Sequence, residues 1–66
     1  MQILVNGAER EIPAETSIGE LLARLAFDGK RIAVAVNRSV IPRAAFATQK
    51  LAAGDRIEIL EAVGGG

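Results

Sequence analysis

Few residues in this chain could do chemistry unaided. There is no cysteine and no histidine among its 66 residues. That removes thiolate nucleophiles, disulfides and iron–sulfur ligation, and with them the usual zinc ligands and the usual general base near neutral pH. Glu58 and Glu61 come closest to a carboxylate pair, but a solvated strand face accounts for them without any metal or substrate pocket. No nucleophile–base pair can be assembled from what is left. The ending, Ala62-Val63-Gly64-Gly65-Gly66, is the remaining candidate. It follows the last predicted strand with no helix after it, so it is not a phosphate-binding loop. Fraying alone explains a terminal glycine run. The run also suits a carboxylate presented to another protein's active site, because glycines lack a β-carbon and let backbone approach backbone closely.

Such an ending needs a body to carry it. The length allows one domain, with an expected stability of roughly 3–10 kcal/mol and little to spare for unpaired polar groups in the interior. Half the residues are hydrophobic, and only Phe27 and Phe46 are aromatic, so the core must be aliphatic. Eight basic residues balance eight acidic ones. A nucleic-acid module shows a basic excess and often aromatic stacking groups, so nucleic acid is not an expected partner. No stretch approaches the ~20 apolar residues of a membrane span, and the start does not read as a signal peptide. The expectation is a soluble, cytoplasmic domain.

Gln2 to Val5 reads as a strand. Asn6-Gly7 then gives a strong hairpin signal, because both central positions of the turn need positive φ, and Ala8 to Ile12 is the return strand. Ser17 is a good N-cap and Glu20 completes a capping box. Ile18, Leu21, Leu22 and Leu25 fall on one stripe of a helix predicted over 18–27. Gly19 weakens that helix slightly, Glu20 and Arg24 are spaced to pair, and Asp28-Gly29 is the expected stop with Gly29 in the left-handed cap position. Ile32 to Val36 is nearly all apolar, as in a central strand with both faces at least partly covered. Asn37 and Arg38 are turn residues before a short strand at Val40-Ile41, and Arg43 is a solvated side chain. A helical turn is expected around Phe46, a core residue, and Asp55 caps the turn that leads into the last strand, Arg56 to Ala62. There, alternation sends Ile57 and Ile59 inward and Glu58 and Leu60 outward.

A hairpin, one helix and then further strands suit an α+β domain: a mixed sheet of about five strands with the helix packed across one face. That is the β-grasp, or ubiquitin-like, arrangement, in which first and last strands lie side by side in parallel. The pairing rests here on analogy. The expected division is a β-grasp domain over 1–62 and a flexible glycine tail over 63–66.

Several segments together carry a resemblance that covers essentially the whole chain. They are Met1-Gln2-Ile3-Leu4-Val5-Asn6-Gly7, Val36-Asn37-Arg38 leading into Val40-Ile41-Pro42-Arg43, Gly54-Asp55-Arg56-Ile57-Glu58-Ile59, and Ala62-Val63-Gly64-Gly65-Gly66. The sequence resembles the ThiS family of ubiquitin-like sulfur carriers of thiamine biosynthesis. The resemblance implies that an E1-like adenylyltransferase, ThiF, consumes ATP to adenylate the Gly66 carboxylate. Sulfur-donating proteins then bring about a thiocarboxylate, which supplies the thiazole synthase ThiG. The chain itself is a protein co-substrate, not an enzyme, with no cofactor or metal bound. Gly64 and Gly65 would thread into the partner. Ordering such a tail costs ~1–2 kcal/mol per residue, and a docking surface should offset that. Leu4 and Leu60 both point away from the predicted core. If their strands are neighbours, these two side chains form an apolar patch with Ala62 and Val63 beside the tail.

Two other readings stand beside this one. A carrier of the MoaD type, serving molybdopterin, shares the fold and terminal Gly-Gly, and is disfavoured by the short chain and by Val63 where a proline-containing lead-in is expected. Carriers for other sulfur pathways differ only in the recipient. A plain ubiquitin-like binding module predicts an inert tail. An electron-carrying β-grasp protein is excluded because it needs cysteines for its cluster.

Overall fold

The computed structural model describes residues 1–27 and 31–61. Strands β1 (Gln2–Val5) and β2 (Ala8–Glu11) form the expected hairpin, with Gln2 opposite Glu11 and Val5 opposite Ala8. Asn6 and Gly7 have φ of 50° and 85°, the two positive values that a hairpin turn matched to strand twist demands.

Helix α1 (Ile18–Arg24) starts where the sequence says it should. The Glu20 N–H donates to Ser17 Oγ (3.1 Å) and the Ser17 N–H donates to Glu20 Oε1 (2.8 Å), closing the capping box. The Glu20 carboxyl is held below its ordinary pKa, first by the Ser17 backbone bond, then by the Ser17 hydroxyl, with Lys50 and Arg24 adding weaker fields. So the carboxylate turns back onto the cap, and Arg24 contributes only at a distance. Gly19 brings the helix against the loop: its N–H donates to the Phe46 carbonyl (2.8 Å). A Cβ there would stand 3.4 Å from that oxygen, at the near edge of ordinary contact.

The helix ends three residues earlier than expected. The Phe27 N–H donates to Leu22 O (2.8 Å) and the Ala26 N–H to Ala23 O (3.2 Å). This is a Schellman turn, with Ala26 as the left-handed residue at φ 63°. It returns Phe27 to the core, against which it packs half-buried. Alanine tolerates that conformation poorly, which is why nothing in the sequence marks the stop. The expected stop, Asp28-Gly29, lies outside the described residues.

Strands β3 (Ile32–Val36) and β4 (Ser39–Ile41) are joined by Asn37 and Arg38, at φ 50° and 72°. A 3-10 turn (Arg43–Ala45) precedes the half-buried Phe46, and strand β5 (Arg56–Glu61) follows the Asp55 turn. Asp55 Oδ2 accepts from the Ala52 N–H at 2.7 Å, capping that turn as expected.

The strands form one mixed sheet in the order β2-β1-β5-β3-β4. β5 is central, parallel to β1 (Leu4 opposite Arg56, Val5 opposite Ile57) and antiparallel to β3 (Ile32 opposite Glu61 through Val36 opposite Ile57). With α1 across one face, this is the β-grasp arrangement. Ile3, Val5, Val34, Val36, Ile57 and Ile59 pack from the sheet against Ile18, Leu21 and Leu22 of the helix, with Ile12 and Leu51 closing the sides. β3 is an interior strand, paired on both sides, with one face fully covered and the other partly: Val34 and Val36 are buried, Ala35 is half-buried and Ala33 is exposed.

Two expectations follow from the helix ends. Ala26→Gly relieves the left-handed strain and should stabilise the domain by about 0.5–1 kcal/mol, visible as a higher urea midpoint. The folded pKa of Glu20 is depressed, so its contribution is complete above the unfolded carboxyl pKa and is lost as pH falls through the folded value. The gap in urea midpoint between the wild type and Glu20→Ala should therefore be widest near neutral pH and narrow on acidification. A gap that grows toward low pH contradicts the cap.

Candidate functional site

The sheet face away from the helix carries the site-forming side chains. Leu60 of β5 lies opposite Ala33 of β3, and Val40 of β4 lies opposite Ala35. Leu60 is 71% exposed and Val40 77%, so neither contributes to the core. Between them the two alanines leave a depression of ≈ 120 Å³, floored by Ala33, Val34 and Ala35 and bounded by Glu58. Small-molecule sites run to about 300–1,000 Å³. This depression is the size for a side chain from another protein, and its apolar lining fits an apolar one.

Leu4 does not join it. The parallel register puts Leu4 opposite Arg56, and Leu60 lies four residues further along β5, roughly 13 Å at the rise of a strand. Leu4 is half-buried and lines a separate, polar depression of ≈ 530 Å³ with Asn6, Gly7, Arg38, Arg56 and Glu58. The expected Leu4–Leu60 patch is thus corrected to one made by Leu60, Val40, Ala33 and Ala35. The other members proposed for it, Ala62 and Val63, and the glycines Gly64, Gly65 and Gly66, lie outside the described residues. Pairing register decides which outward residues meet, and strand alternation alone does not carry it. A signal for Val40 was present: it alternates with Ile41 on a short strand, and Ile41 is the one packed on the core.

Glu58 and Glu61 differ by an odd number of residues on one strand, so alternation sends them to opposite faces. They do not converge as a catalytic pair. Among the described residues no group of three or more acidic, histidine or cysteine side chains is placed to hold a metal ion, and no helix is long and apolar enough to cross a membrane.

Two turn asparagines grip β5 from either side. Asn37 Oδ1 accepts from the Arg56 N–H (3.0 Å) while its Nδ2 donates to Asp55 Oδ1 (3.1 Å). Asn6 Oδ1 accepts from the Ile59 N–H (2.8 Å) and its Nδ2 donates to the Ile59 carbonyl (3.2 Å). Sequence reasoning treats both as turn formers and misses these side-chain bonds, because a positive-φ asparagine is accounted for by the turn alone.

The comparisons with known proteins point one way. The profile of the ThiS family matches residues 3–66. A crystal structure of the thiamine biosynthesis protein ThiS from Geobacter metallireducens superposes with a TM-score of 0.85 at 30% identity, covering 100% of both chains. A solution structure of a thiamine biosynthesis protein from the same organism gives 0.79 at 30% identity, covering 100% of this chain and 88% of the other. The chain is also 33% identical over its whole length to thiazole synthases of Paramagnetospirillum magneticum and Magnetococcus marinus, and spans only 20% of the length of each.

Because Leu60 and Val40 stand clear of the core, Leu60→Asp and Val40→Asp should each change folding stability by no more than about 0.5 kcal/mol, read from urea midpoints. A loss of several times that value would mean that the outer face is part of the fold's stabilising packing.

Proposed function

The chain belongs to the ThiS family of sulfur carriers of thiamine biosynthesis, and we propose that its own Gly66 carboxylate is the group that carries the sulfur. A carboxylate is a poor acyl donor until one of its oxygens becomes part of a good leaving group. An E1-like enzyme of the ThiF kind would join the Gly66 carboxylate to the α-phosphate of ATP, releasing pyrophosphate. A persulfide on a sulfur-donating protein would then attack the acyl carbon as AMP leaves, and a thiol would reduce the resulting acyl disulfide, releasing the thiocarboxylate and leaving the donor and the thiol joined as a disulfide. Transfer of that sulfur to the acceptor held by a thiazole synthase, with an oxygen from the acceptor or from water taking its place on the acyl carbon, would return the carboxylate. ATP is consumed by the partner, and the carrier holds no cofactor of its own.

The observation that carries this reading is the full-length match to a solved ThiS in a chain whose sequence has only Ala62 and Val63 between the central strand and Gly64-Gly65-Gly66. The sequence has neither cysteine nor histidine, which suits a chain whose chemistry is supplied by partners. The thiazole synthases matched over a fifth of their length support a thiazole synthase as the recipient, since a segment like this chain is part of the same polypeptide there. The apolar depression between Leu60 and Val40 is the proposed docking surface for the activating enzyme. Leu60 lies close in sequence to the tail, so docking there would bring the glycines toward the nucleotide.

The test is intact mass spectrometry of the protein ending at Gly66, incubated with ATP, ThiF and a cysteine-dependent sulfur source. The expected result is an ATP-dependent exchange of one oxygen for sulfur, mapped to Gly66 and abolished by one added residue after it. Leu60→Asp and Val40→Asp should each weaken ThiF binding by about tenfold or more, as central apolar anchors do, while Leu4→Asp has a smaller effect. A folded protein that gains no sulfur beside an active control rejects the carrier role, and unchanged affinity of both patch variants rejects the docking surface alone.

A further inference from the structure

We propose that Asn6 is a positioning residue for the carboxylate chemistry, its side-chain amide standing in for a strand residue beside Ile59 and so setting where the chain leaves the sheet. The role rests on the carrier reading above.

β1 pairs with β5 only as far as Val5 opposite Ile57. The chain then turns away, its last backbone bond to β5 being from the Asn6 N–H to the Ile57 carbonyl (2.9 Å). The next inward-facing residue of β5, Ile59, has an N–H and a carbonyl on that flank beyond the reach of β1. A carboxamide offers the same acceptor and donor as a peptide group. Asn6 presents both, at 2.8 Å and 3.2 Å, and the parallel ladder is prolonged by one step. The other flank of β5 is held by β3 through Ile32 opposite Glu61. β5 is therefore fastened on both sides up to Ile59, three residues before Ala62.

This matters for a terminus that must enter a partner's nucleotide site. Each further residue freed from the sheet must be ordered again on entry, at a cost of roughly tenfold in rate or affinity. The turn itself does not require the amide, since glycine serves equally at φ 50°. Asn37 supplies a matched control. It has the same φ and also gives its amide to β5, but at Arg56, the end remote from Gly66.

The experiment compares the wild type, Asn6→Gly, Asn6→Asp and Asn37→Gly, all ending at Gly66. The readouts are kcat/KM for ThiF- and ATP-dependent pyrophosphate release, and the urea midpoint of each protein. Both glycine variants should lose comparable stability. At a temperature where all are folded, Asn6→Gly should lose about tenfold in kcat/KM and Asn37→Gly less than about twofold, the difference being the ordering cost at the tail end of β5. Asn6→Asp keeps the turn and the acceptor but faces the Ile59 carbonyl with an oxygen, and should fall alongside Asn6→Gly; it decides the matter if Asn6→Gly does not fold. Equal losses for the Asn6 and Asn37 variants, or none for the Asn6 variants, make Asn6 a purely structural residue and overturn the proposal. A wild-type protein that releases no pyrophosphate overturns the carrier reading itself, and the positioning role with it.

Discussion

Everything in this fold hangs on the pairing of its first strand with its last. Leu4 donates to the Asp55 carbonyl at 2.9 Å, Asn6 to Ile57 at 2.9 Å and Gly54 to Gln2 at 2.7 Å, joining segments some fifty residues apart in the chain. Parallel neighbours need a long crossover, and here almost the whole chain supplies it. The pairing makes β5 the centre of the sheet and so gives α1 a floor to pack on. It costs loop-closure entropy before any other contact rewards it. Ile57, fully buried where that strand meets β1, helps offset the cost.

With one sheet face committed to the helix, the other is left to solvent. Ile57 and Ile59 of β5 are buried on the inward face, and its outward residues are Arg56, Glu58 and Leu60. One strand thus serves the core with one set of side chains and presents a surface with the other. The division explains how a chain with so small an interior can display two large exposed apolar side chains without weakening itself.

The sequence was most legible where a local rule has one physical solution. Asn6-Gly7 forced a hairpin, Ser17 with Glu20 forced a helix start, and the alternation through Ile57 and Ile59 placed the core face. Reading failed where the outcome depends on distant pairing or on strain that packing overrides. The helix stops at a left-handed Ala26 because Phe27 is drawn back to the core, which no propensity rule anticipates. Leu4 and Leu60 share a face yet do not meet, because the register of the parallel pair offsets them. The Asn6 amide was hidden behind its own turn, its partner Ile59 lying 53 positions away.

The alanines at 33 and 35 bear on how such a protein changes over generations. They hold open a depression whose rim, Leu60 and Val40, lies outside the packing that holds the fold together. Substitutions on that rim can reshape the outer face while selection on folding scarcely registers them. Through this separation the outer face of the sheet can drift while its inner face stays under constraint.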